Sequence, residues 1–139
     1  MREDAGMTLT EFLAARLDED EAAAKAAEGR PEFDGTGIVI QHNLGGDRSV
    51  VMPSHVATHI ARHDPARVLR EAGAGRKILA YCQEAQQKLD YAVAHPDEFS
   101  AGDAGLYVGK VAASMTAVRL RAAVYSDHPD YDEAWRPLT

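Results

Sequence analysis

The sequence has 139 residues, 45% hydrophobic and 27% charged, with a formal net charge of −7: the length of about one domain, able to bury its own core, with a soluble, globular composition. No apolar run approaches the roughly 18 residues that span a bilayer, and MREDAG leads into an acidic amphipathic stretch instead of a basic, then apolar leader, so the expectation is a cytoplasmic protein without a membrane segment. Cys82 is the only cysteine, which excludes an intrachain disulfide and a cysteine-based zinc cage.

The charge is unevenly spread. Residues 1–34 carry four basic and ten acidic side chains, whereas 62–77 carry Arg62, Arg67, Arg70, Arg76 and Lys77 against Asp64 and Glu71. An acidic chain with one modest basic strip is poorly suited to sequence-independent nucleic-acid binding, because phosphate neutralisation drives that affinity.

In chain order, Thr8 with Glu11 three residues on forms a capping box, and Met7 and Phe12 occupy the hydrophobic-staple positions, so a helix starts here. Leu9, Phe12, Leu13 and Leu17 share its apolar face, and Gly29 and Pro31 stop it. GIVIQH (37–42) and RSVVM (48–52), joined by a glycine-containing loop, predict a small β-hairpin. Ser54 is expected to cap a short helix through Arg62, with His63 drawn toward an extended conformation. Asp64 and Pro65 then start a long helix to about Ala94, with an apolar stripe of Val68, Leu69, Ala72, Leu79, Cys82, Leu89 and Val93 and a kink or break near Ala74, between Gly73 and Gly75. After His95-Pro96, PDEFSAGDAG reads as a loop, and a last helix from about Asp103 to Tyr125 carries Val108, Val111, Met115, Val118 and Ala122. Trp135 in the acidic tail reads as an anchor pinning the tail to the body.

Three blocks, TLTEFLAARLDEDEAAA, HIARHDPARVLRE and LRAAVYSDHPDYDEAWRP, make the chain resemble a group of small actinobacterial and actinophage proteins catalogued only as a domain of unknown function. EGRPEF and AGAGRK depart from that pattern, where relatives carry a Pro-Gly-Pro-Trp type segment and an unbroken charged helical stretch. The resemblance implies an actinobacterial host or one of its phages or mobile elements, and an accessory protein that binds another protein; it implies no catalytic residue.

His55, His59 and His63 recur every four residues, and the outer two would lie about 12 Å apart on a helix, too far for one metal. His59 and His63 with Asp64 and His128 form the candidate metal set; the alternative is that these histidines are structural. Arg62, Arg67, Arg70, Arg76 and Lys77 form the candidate anion site, against a plainer reading in which the arginines pair with nearby carboxylates.

The expected fold is α+β, mostly α: a single domain with three principal helices, one short helix and a small β-hairpin, its first six residues frayed and its tail from 126 packed on the body. The expected function is a non-catalytic protein-interaction protein that also self-associates, with no cofactor. The alternatives are a metal-binding or hydrolase-like protein using a divalent ion, and an anion or nucleic-acid binder.

Overall fold

The computed structural model describes residues 6–27, 31–33, 38–41, 48–51 and 53–138, the three short middle segments by their backbone alone. Helix α1, Leu9–Ala26, begins where Thr8 directs it. The Thr8 N–H donates to Glu11 Oε2 at 2.8 Å, and the Glu11 N–H donates to Thr8 Oγ1 at 3.3 Å. These reciprocal bonds satisfy two donors that a helix start leaves open. Phe12, Leu13 and Leu17 are fully buried, each contributing about 1.5–3 kcal/mol by leaving water.

Strands β1 (Pro31–Phe33), β2 (Ile38–Gln41) and β3 (Arg48–Val51) pair antiparallel in that order. Glu32 stands opposite Ile40, and Val39 opposite Val50. The α+β class with a two-stranded hairpin is therefore corrected. The protein is helical, every buried side chain described lies on a helix, and the short paired segments form a three-stranded meander. Two strands alone are marginal in water. The third comes from Pro31, expected only to stop α1; at the first residue of an edge strand its missing N–H leaves no ladder bond unmade. The glycine-containing loop proposed between the strands lies outside the described residues.

Helix α2, Ser54–Arg62, packs along β1 and β2 and buries Ala57. Its cap is Pro53, not Ser54: the Pro53 carbonyl accepts the Val56 and Ala57 N–H groups, and no side chain caps the turn. His63 is not extended, having φ −108° and ψ 37°, and its N–H donates to the His59 and Ile60 carbonyls. Proline constrains the residue directly before it, which here is Asp64.

Helix α3, Pro65–Ala94, starts on Asp64, whose Oδ1 accepts the Arg67 N–H at 2.7 Å. It runs unbroken through Gly73 and Gly75, where the sequence suggested a kink or break. A Cβ on Gly75 would stand 2.8 Å from Leu17 Cδ2, whereas one on Gly73 would meet nothing within 4 Å. Gly75 thus lets α1 approach closely, at a cost of roughly 1 kcal/mol in helix propensity. The buried face is Ala72, Gly75, Leu79, Cys82, Ala85 and Ala92. Leu69 and Val93, expected on this stripe, are exposed; Val93 lies about 100° around the helix from Ala92.

Helix α4, Ala101–Ala122, begins earlier than expected because Ser100 caps it. The Ser100 hydroxyl accepts the Asp103 N–H at 3.1 Å, and the Ser100 N–H donates to Asp103 Oδ2 at 3.2 Å. Val118 and Ala122 are buried, but Val108 is exposed. A 3₁₀ turn, Ala123–Tyr125, continues the helix, and a second, Glu133–Trp135, lies in the tail.

The chain divides into two compact units: Met1–Leu17 with Ala74–Thr139, and Asp18–Gly73. The first holds the start of α1, most of α3, α4 and the tail. The second holds the sheet, α2 and the start of α3.

Candidate functional site

Within the unit formed by Met1–Leu17 and Ala74–Thr139, α3 and α4 leave two open grooves. The first, about 370 Å³, is lined by Lys77, Ile78 and Tyr81 of α3 and by Ala113, Ser114 and Ala117 of α4. Ser114 is buried and spends its hydroxyl on the Val111 carbonyl at 3.1 Å, which leaves the groove surface apolar. Tyr81, 54% exposed, stands at its edge, and Leu106 and Leu120 of α4 are exposed to a similar degree.

The second groove, about 220 Å³, is lined by Glu84, Gln87, Lys88, Tyr91, Phe99 and Tyr107. Its rings form a chain of contacts: Tyr91 to Phe99 at 5.8 Å and Phe99 to Tyr107 at 6.2 Å, both edge-on, with His95 stacked on Tyr91 at 4.0 Å. The Tyr91 hydroxyl donates to Glu98 Oε2 at 3.0 Å. Lys110 Nζ lies 5.9 Å from the centre of the Tyr107 ring. Lys88 and Glu84 pair at 2.8 Å across one helical turn. That hydrogen bond, reinforced by opposite charge, holds the Glu84 carboxyl below its ordinary range and the Lys88 ammonium above its own.

In the same unit, the tail packs on α1. Phe12 meets His128, Tyr131 and Trp135 at ring-centre distances of 5.8, 5.7 and 5.1 Å. Arg16 is only 6% exposed, and its guanidinium lies 5.3 Å from the Phe12 ring centre and hydrogen-bonds His128 Nε2. On the other side of the ring, the Asp130 N–H donates to Nδ1 at 3.1 Å. His128 is thus held between α1 and its own turn, a structural role.

The proposed metal residues are distributed as follows. His59 and His63 stack on successive turns at 4.5 Å. Asp64 spends one oxygen on the α3 cap. His128 belongs to the other compact unit, bonded to Arg16. Among the described residues, no group of three or more His, Cys, Asp or Glu side chains is arranged to hold a metal ion. Of the basic strip, Arg67 Nε donates to Glu71 at 2.7 Å and its Nη1 to the Arg62 carbonyl at 3.1 Å. Arg62 and Arg70 are exposed in the same unit; Arg76 and Lys77 are exposed in the other, where Lys77 lines the first groove.

Sequence reasoning missed the aromatic groove. Its tyrosines fall off the apolar stripe of their helices, which marks them as surface residues, and their proximity depends on the turn between α3 and α4.

The comparisons with known proteins place this architecture in a class defined by sequence alone. The chain belongs to the family of unknown function DUF6221, which matches residues 6–137. No curated protein and no solved structure matches it.

Proposed function

We propose that the chain is a non-catalytic accessory protein that acts by binding another protein. The observation that carries this reading is the pair of open grooves between α3 and α4, with the exposed rings of Tyr81 and Tyr91 among their lining. Exposed apolar surface gathered at a groove marks interaction sites, whereas scattered single residues do not. Setting for the reading comes from the three resembling sequence blocks: the cytoplasm of an actinobacterial host, with the gene belonging to the host, a phage or a mobile element. Among the described residues no helix is long and apolar enough to cross a membrane, which fits that setting.

A photoreactive amino acid placed at Tyr81 in the producing cell tests the reading. One stoichiometric partner should cross-link there and not from Gln83, which is exposed two residues further along α3. The same mixed background from both positions would refute it.

A further inference from the structure

We propose that the end of α2 binds one divalent transition-metal ion of the imidazole-preferring kind through His59 and His63, with water completing its coordination. The site lies wholly within the unit Asp18–Gly73 and does not depend on the grooves between α3 and α4. It keeps two of the four residues that the sequence grouped as metal ligands. His128 belongs to the other unit, and Asp64 Oδ1 caps α3.

Helix geometry brings the two rings together. Ala57 is the buried residue of α2; His59 lies about 200° around the helix from it, and His63 falls within about 40° of His59. Both histidines are accordingly exposed. His63 follows the last helical residue, yet its N–H donates to the His59 and Ile60 carbonyls at 3.1 and 3.2 Å, which fixes its backbone against the final turn. The ring centres lie 4.5 Å apart. An ion bound about 2.0–2.1 Å from one nitrogen of each ring sets ring centres roughly 4.5–5.2 Å apart, for angles at the metal from square to tetrahedral. The pair therefore stands at a chelating separation, and rings that face solvent are free to turn toward a common point.

The ring nitrogens are uncommitted. Among the described residues neither ring makes a hydrogen bond or an ion pair. A histidine that serves only to close a helix behaves differently: His95, at the end of α3, donates from Nδ1 to the Tyr91 carbonyl at 2.9 Å. Each neutral imidazole offers one lone pair, which suits zinc, nickel and copper better than the ions that prefer oxygen. The carbonyl end of α2 adds partial negative charge, which favours a cation there. Of the neighbouring charges, Asp64 is attractive, Arg67 is paired with Glu71 at 2.7 Å, and Arg62 is exposed, so its guanidinium has room to stay in water.

The test is isothermal titration calorimetry of the full chain, produced without a histidine tag and stripped with a chelator, against zinc, nickel and copper(II) chlorides in a non-coordinating buffer. One ion per chain should bind. His59→Ala and His63→Ala should each weaken binding at least tenfold, whereas His55→Ala, one turn earlier, and His95→Ala should change it less than twofold. Both ligand positions are exposed, so circular dichroism should show unchanged helix content in the variants. In proton NMR, a sub-stoichiometric amount of copper(II) should broaden the ring signals of His59 and His63 before those of the other histidines. No saturable binding, or equal binding by wild type and a His59→Ala, His63→Ala double variant, would overturn the proposal, the latter marking an adventitious ion only. So would an equal loss with His55→Ala, or broadening led by another histidine, either of which would give the ion to a different site.

Discussion

Two glycines two residues apart on α3 have opposite consequences. At Gly75 a methyl group would press on Leu17, which is fully buried, so Gly75→Ala should destabilise by about 1–3 kcal/mol. Gly73→Ala, with open space around it, should stabilise by up to about 1 kcal/mol through helix propensity. Urea denaturation of both variants checks the pair; equal effects would mean that Leu17 does not pack there. Glu11 supports a pH prediction. Hydrogen bonds from the Thr8 backbone and hydroxyl hold its carboxyl below the ordinary value of 4.5. Its folded value lies under its unfolded one, so its contribution is complete above 4.5 and disappears as pH falls through the folded value. The gap in melting temperature between wild type and Glu11→Ala should accordingly be constant near neutrality and narrow in acid.

At the scale of elements, helix starts with a complete local signal were legible. Thr8 with Glu11 and Asp64 with Pro65 both act within one turn, and α1 and α3 begin where those residues direct. Ser100 with Asp103 carries the same signal; it went unread because the surrounding glycines and polar residues suggested a loop. Ser100→Ala should cost about 1 kcal/mol, measurable as a lower denaturation midpoint, and a neutral result would show that α4 is held by packing alone. Less legible were the features fixed by neighbours. The third strand depends on Pro31 pairing with Gln41 across the chain, which no local pattern announces. The exposure of Val93 and Val108 depends on which side of each helix faces the core, and a valine carries no mark of that choice. The two grooves were illegible for the same reason: Tyr81 and Ala117 are far apart in sequence and ordinary by themselves.

For the whole molecule, the tail ties the end of the chain to its beginning. Trp135 and Tyr131 cover Phe12, and Arg119 Nη1 donates to the Ala134 carbonyl at 3.0 Å. Trp135→Ala should lower stability by about 2–3 kcal/mol, somewhat under the cost of deleting a fully buried aromatic, and should leave Phe12 open to solvent. Unchanged thermal unfolding would show that the tail is not part of the folded unit. Cys82 supplies a separate means of following that unit. Its thiol is 3% exposed, 3.2 Å from Met115 Sδ across from α4, and it is the chain's only thiol. A thiol-specific reagent can reach it only when α3 and α4 part, so the labelling rate, compared with that of the unfolded chain, reports how often the pair opens. The protein thus carries an intrinsic clock for its own breathing, readable without an engineered probe.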